Sequence, residues 1–322
     1  MTESIHMAVA EGTCGVHVAV CVATFMRPQG LGRLIRSLNG LEFGRVPVPT
    51  ITIVIVDNDE EGSALEVCAG IQEQRWKIEY LREPRRGISF ARNRAIVEIA
   101  HRVDFVAFVD DDEVVEPQWM DELLATQLWS AASVVTGPVL PVFEGPVPKW
   151  VANGNFFRRP RQTTGQSVGM ARTGNVLILA DIFGGKDALA FNEELALSGG
   201  EDTLFFMRAL RRGHKAVWSD EAVVCEFVPQ SRATARWLLL RAFRGGSVYA
   251  ACESLLAPSA GMAALRIAKG ALHIALGIVS IPTAIFGRHA GILALRRICL
   301  GAGMIAGGFG HSYSEYSTVH GE

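Results

Sequence analysis

Short apolar runs alternate with amphipathic stretches from the start of the chain to Thr136. Residues 18–23 (VAVCVA), 51–56 (ITIVIV) and 105–109 (FVAFV) are apolar at nearly every position, the pattern of strands buried on both faces. Residues 77–81 form a weaker strand and residues 133–136 a further short one. Between them, apolar residues recur at helical spacing: Leu31, Leu34, Ile35 and Leu38 ahead of Gly40, then Ala64, Val67, Cys68 and Ile71. Residues 88–100 read as a basic helix, and Met120, Leu123, Leu124 and Leu128 share one face of a helix opened by Pro117. This alternation predicts an α/β protein whose parallel sheet is covered by helices on both faces.

In such sheets ligands bind beyond the carboxyl ends of the strands. Three polar groups fall there: Thr24-Phe25-Met26-Arg27-Pro28, Asp57-Asn58-Asp59, and Asp110-Asp111-Asp112-Glu113. Four consecutive carboxyls repel one another, more strongly where solvent is excluded. A hard divalent ion such as Mg²⁺ or Mn²⁺ relieves this, taking carboxylate oxygens together with a substrate phosphate. The plainer alternative is a solvated turn whose acids favour the next helix N-terminus. The arrival of three polar groups at one sheet edge favours the site.

Beyond residue 137 the alternation breaks. Residues 138–180 carry five prolines with Trp150, Phe156 and Phe157, and read as a long binding loop or an ordinary crossover. Ser198-Gly199-Gly200-Glu201-Asp202 then opens a helix that ends at Gly213. A carboxylate at this turn suits a general base, or only a helix cap.

The 322 residues are 49% apolar and 20% charged, which excludes a disordered chain. Six scattered cysteines without a Cys-x-x-Cys pair read as free thiols of a reducing compartment, and the histidines lack zinc spacing. The net charge of −2 hides an asymmetry: from Arg232 onward nine Lys/Arg face three acids, so the tail carries +6 and the remainder −8. A basic, apolar tail suits an anionic membrane surface. Nucleic acid is not expected, because basic and aromatic residues do not interleave.

Residues 270–287 hold no formal charge and would rise about 27 Å as a helix, near the ~30 Å core of a bilayer, with His273 and Pro282 against a clean span. A second apolar stretch, 298–309, reaches spanning length only by including Arg296 and Arg297, which are expensive in lipid. The expectation is a membrane-embedded or interfacial hairpin, the alternative a buried helical cap. Arg236-Trp237-Leu238-Leu239-Leu240-Arg241 with Phe243 and Arg244 reads as an interfacial helix.

The ordered set Ala23-Thr24-Phe25-x-Arg27-Pro28, Val56-Asp57-Asn58, Arg86-Gly87-Ile88-Ser89-x-Ala91-Arg92-Asn93, Val109-Asp110-Asp111-Asp112-Glu113 and Gly199-Gly200-Glu201-Asp202 resembles the family 2 glycosyltransferases of the GT-A fold. The likeness is nearest to the bacterial exopolysaccharide type, such as succinoglycan glucosyltransferases, and covers about residues 16–250. It implies a Rossmann-like, mostly parallel sheet with helices on both faces; the tail read above adds a C-terminal helical membrane-associated segment. The divisions expected are a disordered leader over 1–15, the transferase domain over 16–231, the helical region over 232–310 and a tail over 311–322.

The resemblance also implies roles. Asp202 is the catalytic base of an inverting transfer, with acceptor contacts from Glu201, Trp150 and Asn175. Thr24, Arg27, Asp57, Arg92, Asp110 and Asp111 bind the nucleotide-sugar, Asp57 through the base and Arg92 on the donor side. Residues 172–175 line the sugar pocket. Asp112, Asp110 and Glu226 hold Mn²⁺ or Mg²⁺, Glu226 standing near where relatives carry a histidine. Ala233 occupies the first position of the Gln/Arg-x-x-Arg-Trp motif of processive synthases, so one sugar is added per cycle. The implied partners are a nucleotide-sugar donor, a lipid-linked oligosaccharide acceptor and the cytoplasmic face of the cell membrane. The rival reading is a non-catalytic nucleotide- or carbohydrate-binding protein on the same fold. A dinucleotide oxidoreductase is disfavoured, since no Gly-x-Gly-x-x-Gly turn follows the first strand.

Overall fold

A computed structural model of the chain describes residues 15–71 and 74–309. The leader (but for Gly15) and the tail lie outside these residues. A seven-stranded sheet forms the centre. In chain order its strands are β1 (His17–Thr24), β2 (Thr50–Asp57), β3 (Lys77–Arg82), β4 (Phe105–Phe108), β6 (Val134–Thr136), β8 (Val176–Leu179) and β9 (Ala216–Trp218). They lie in the order β3-β2-β1-β4-β8-β6-β9. Strands β1 to β4 are mutually parallel, while β8 runs antiparallel to both β4 and β6.

The continuous apolar strands have the expected cause. Val18, Val20 and Val22 face one core with Leu31, Leu34, Ile35 and Leu38 of α1 (Pro28–Asn39) and with Trp119, Leu123 and Leu124 of α4 (Trp119–Ser130). Ala19 and Cys21 face the other, with Ala91, Ala95 and Ile99 of α3 (Ile88–Ile99) and Phe205 and Phe206 of α6 (Glu201–Arg211). The four α1 side chains are completely buried, each worth roughly 1.5–3 kcal/mol. The short α2 (Leu65–Gly70) covers the β2–β3 connection through Cys68.

The segment expected as a long binding loop or an ordinary crossover is structured. It contains β7 (Val139–Phe143), the short helix α5 (Lys149–Gly154) and β8. Strand β7 joins β5 (Glu113–Val115) and β10 (Val224–Val228) in a small sheet of order β5-β10-β7. Pro141 lies on this edge strand, where a missing N–H is tolerated.

The C-terminal third comprises α7 (Ala235–Leu256), α8 (Ala260–Ser280) and α9 (Arg288–Gly308). Thr234 and Ser259 cap α7 and α8 by accepting from the backbone N–H of Trp237 and Met262. Pro282 begins a helical turn, Ile281–Phe286, after α8 has ended, so it interrupts nothing. Ala260–Phe286 and Arg288–Gly308 are long and apolar enough to cross a membrane by length and composition. Small residues bring α9 against α7: a Cβ on Gly303 would stand 1.9 Å from the Phe243 carbonyl oxygen, and one on Gly246 2.1 Å from that of Leu300. The two arginines within the second stretch find protein partners. Arg296 lies over the Phe156 ring at 5.3 Å, and Arg297 donates to Ser280 Oγ at 3.2 Å.

Candidate active site

The carboxyl ends of β1, β2 and β4 open into a cavity of about 290 Å³. Register alone brings Thr24 beside Asp57. The acidic loop after β4 then folds back over Thr24: its hydroxyl donates to Asp111 Oδ2 at 2.8 Å, and Arg27 donates to Asp111 Oδ1 at 2.9 Å. Burial lifts the Asp111 carboxyl to about 6, against the opposing pull of Arg27 and Thr24. Asp112 lies between two guanidiniums, Arg27 at 3.3 Å and Arg232 at 3.4 Å, and Arg232 also reaches Glu226 Oε1 at 3.1 Å.

Glu113 begins β5 and pairs across the ladder with Glu226. Its carboxylate accepts from the Asp110 N–H at 2.9 Å. Burial, reinforced by Asp110, Asp112 and Glu226, pushes its pKa well up. Gly174 packs against this group: a Cβ there would lie 2.7 Å from Glu113 Oε1 and 3.3 Å from Asp110 Oδ2. The loop containing Thr173 and Gly174 therefore closes on the acids, with only hydrogen at the point of contact.

The second acidic pair reaches the cavity through a turn that only glycines take easily. Gly199 and Gly200 have φ of +77° and +93°, and Gly200 leads directly into α6. Asp202 lines the cavity, and among the described residues one of its oxygens is engaged by Thr203 alone. Glu201 points the other way and is buried. It pairs with Arg92, whose other arm donates to Asp110 Oδ1 at 2.9 Å. Arg92 thus ties the acidic loop to the helix that carries Asp202. Among the described residues Glu201 Oε2 has no hydrogen-bond partner, and burial lifts the carboxyl to about 7 against the pull of Arg92. Ser89 and Asn93, on the same helix as Arg92, bond to the backbone of Asn192 and Phe191 and so fix α3 against the chain leading to α6.

Thr24, Arg27, Arg92, Asp110, Asp111, Asp112, Asp202 and Glu226 line one cavity. Four other expected site residues lie elsewhere. Asp57 is fully buried, its carboxylate taken by the N–H groups of Asp59 and Ala64 and by the Tyr80 hydroxyl. The cavity wall at β2 is instead Asn58, which pins the following loop through Glu83 O, Arg85 O and Gly87 N–H. Asn175 is a buried clamp rather than an acceptor contact. Its amide accepts from the Trp119 indole at 2.8 Å and donates to the carbonyls of Pro138 and Ala222. Trp150 packs on Phe156 under Arg288, outside the cavity. Glu201 acts on Arg92 and is too buried to meet an acceptor.

Residues 236–244, expected as an interfacial helix, lie within α7 and reach the cavity. Trp237, Arg241 and Arg244 line the cavity, joined by Arg159, Arg172 and Arg232. On the opposite wall Arg86 stacks over Phe25 at 4.4 Å.

The donors near the acidic loop are all carboxylate oxygens, which suits Mg²⁺ or Mn²⁺. Among the described residues no three acidic, histidine or cysteine side chains converge to form a ready cage. The set fits an ion that takes one or two protein carboxylates and completes its shell with substrate oxygens and water.

Residues 19–184, half of the chain, match the family described as Glycosyl transferase family 2. The succinoglycan biosynthesis protein ExoM of Rhizobium meliloti (strain 1021) is 34% identical over 239 residues, 73% of this chain and 74% of that protein. The glucosyl-dolichyl phosphate glucuronosyltransferase of Haloferax volcanii is 26% identical over 216 residues, 65% of this chain and 62% of that protein. Among solved structures, S. aureus TarS 1–349 in complex with UDP superposes with a TM-score of 0.52 at 17% identity, over 87% of this chain and 89% of that one. Its complex with UDP-GlcNAc gives 0.52 at 15% identity, over 87% and 90%. These structural likenesses establish the GT-A fold, and with the family match and the ExoM relationship they show that the chain belongs to glycosyl transferase family 2.

Proposed function

We propose that this protein is an inverting hexosyltransferase of surface or exopolysaccharide biosynthesis. It moves glucose from UDP-glucose onto a lipid-linked oligosaccharide at the cytoplasmic face of the cell membrane. The observation that carries the reading is the meeting of Asp202 and the 110–112 acids in one cavity, braced by Arg92. The UDP in the TarS complexes supports the donor class, ExoM's part in succinoglycan biosynthesis supports the pathway class, and the second relative's glucosyl-dolichyl phosphate supports a lipid-borne acceptor.

In this reading the nucleotide lies along the wall of Asn58, Phe25 and Arg86, with the diphosphate at the acidic loop. Mg²⁺ or Mn²⁺ held by Asp112 and Asp110 would supply positive charge to the departing diphosphate. Arg232 holds Glu226 and Asp112 in place and brings a fixed cation to the same loop. The acceptor hydroxyl attacks the anomeric carbon from the side opposite the diphosphate, and the unengaged oxygen of Asp202 takes its proton. The anomeric centre inverts, so an α-linked donor gives a β-glycoside.

The test is transfer of labelled glucose from UDP-glucose into the lipid fraction of membranes carrying the full chain, with and without a chelator. Label should enter the lipid only with the divalent ion present. Asp202→Asn should keep UDP binding and melting temperature while lowering turnover at least ~100-fold, the scale of a general base. An α-linked product would reject the mechanism. A fully active Asp202→Asn would reject the base, and undiminished transfer in chelator would reject the metal.

A further inference from the structure

Six of the eight arginines that line the cavity fall into two sets. Arg27, Arg92 and Arg232 hold the carboxylates of the acidic loop, Glu201 and Glu226. Arg159, Arg172 and Arg241 line the same cavity, and among the described residues their guanidiniums form no ion pair or hydrogen bond with protein. Arg241 has only the face of Trp237, 4.9 Å away. Burial, with Arg159, Arg244 and Arg172 adding repulsion against the pull of Glu226, brings Arg241 down to about 10. Arg172 is lowered by burial and by Arg159, and Asp202 is the acid that acts on it in the opposite sense. Such a crowd of like charges is unfavourable by itself and is relieved by an anion.

Position indicates which anion. The acidic loop, where the donor diphosphate and its ion belong, has its own arginines. Of the second set, Arg172 feels Asp202 and so stands on the side of the base, where the acceptor hydroxyl must arrive; Arg159 and Arg241 cluster with it, and Arg241 also feels Glu226. Arg241 also belongs to α7, which is held directly against α9 by close contacts at Phe243, Gly246 and Ser247. Arg241 is thus one helix removed from the apolar hairpin, whose α9 packs on α7. A charged group at the junction of a lipid chain and a sugar would lie at this depth.

We propose that Arg159, Arg172 and Arg241 form a second anion subsite that receives the phosphate or diphosphate joining the acceptor's sugar to its long-chain alcohol. The guanidiniums offer paired N–H donors that match phosphate oxygens. The acceptor is then recognised by its lipid–phosphate junction, and its accepting hydroxyl lies only a short saccharide away from that anion. This rests on the glycosyl-transfer reading above.

The experiment uses the full chain in detergent micelles with saturating UDP and MgCl₂, and three probes: farnesyl diphosphate, farnesol and inorganic pyrophosphate. Farnesyl diphosphate should bind together with UDP, more tightly than either other probe. The Arg159→Gln/Arg172→Gln double variant should weaken it at least ~10-fold, the scale of lost charge-assisted hydrogen bonds, and move the UDP Kd less than ~3-fold. Its melting temperature should hold or rise, because repulsion is removed. Should the double variant melt early, Arg172→Lys against Arg172→Gln gives the same reading: the lysine keeps most of the binding and the glutamine does not.

Displacement of farnesyl diphosphate by UDP, or equal weakening of both ligands, would assign the arginines to the donor and overturn the proposal. Equal binding of farnesol would make the site merely apolar. Equal, arginine-dependent binding of pyrophosphate would make it a site for free oxyanions. A wild-type protein that fails to bind UDP defeats the donor reading, and this inference with it. UDP binding with no arginine dependence of the prenyl ligand defeats this inference alone.

Discussion

At the scale of single residues, adjacent carboxylates have opposite tasks. Asp202 faces the cavity, while Glu201 is buried against Arg92, one position earlier on α6. Sequence reading placed both near the acceptor because periodicity cannot say which of two neighbours at a helix start turns inward. Asn175 and Trp150 failed likewise: their types suit sugar binding, but a buried amide also suits clamping backbone carbonyls, and an indole also suits packing. A pH test separates Glu201 from its neighbour. Its carboxyl rises on folding from an ordinary 4.5 to about 7. A group raised in this way favours the fold while protonated. Its contribution is complete below the ordinary value and is lost as the pH climbs through the folded one. Glu201→Gln keeps a neutral side chain at every pH. The melting temperature of the wild type relative to Glu201→Gln should therefore fall between about pH 5 and 8. A difference that stays flat over that range would show that Glu201 is ionised throughout and held by Arg92 as a plain ion pair.

At the scale of elements, what could be read ahead depended on how many faces each element buries. Strands β1, β2 and β4 are covered on both sides, so their apolar runs were plain in the sequence. Strand β8 has four residues in a proline-rich stretch, and its antiparallel insertion between β4 and β6 depends on long-range pairing that no local pattern records. Helix α7 shows a further ambiguity. Cations on one face and apolar residues on the other suit a membrane surface. They suit equally a helix that packs on a neighbour and turns its arginines into a cavity. The glycine contacts show the packing of α7 on α9, which can be tested. Gly303→Ala drives a methyl into the Phe243 carbonyl, and overpacking of this kind costs about 1–3 kcal/mol. Gly308, on the same helix, has nothing within 4 Å of an added Cβ, so Gly308→Ala should be neutral or stabilise by up to ~1 kcal/mol. Thermal melting should fall for Gly303→Ala and hold or rise for Gly308→Ala. If they move together, α9 is not seated on α7 through Gly303.

At the scale of the molecule, the C-terminal helices do two jobs at once. Helix α7 supplies Trp237, Arg241 and Arg244 to the cavity, so the lining of the site extends past residue 231. Cutting the chain there would remove a wall of the site along with any anchor, and loss of activity would not distinguish the two. The outward face of α8 offers a cleaner test. Leu272, Leu276, Ile278 and Val279 are exposed, and Val279 is 76% accessible. An apolar face of this length on a helix far from the cavity fits burial in lipid, where each side chain would gain about 1.5–3 kcal/mol. We expect the full chain to remain with membranes after an alkaline carbonate wash. Replacing Leu272, Leu276 and Val279 together by glutamate places three charges in that face, each opposed by roughly 2.5–3.5 kcal/mol at the centre of a bilayer. The triple variant should pass to the supernatant and still bind UDP, because none of the three residues lines the cavity. A wild-type protein already soluble without detergent, or a triple variant that stays in the membrane pellet, would mean that α8 is not the element that holds this enzyme to the lipid.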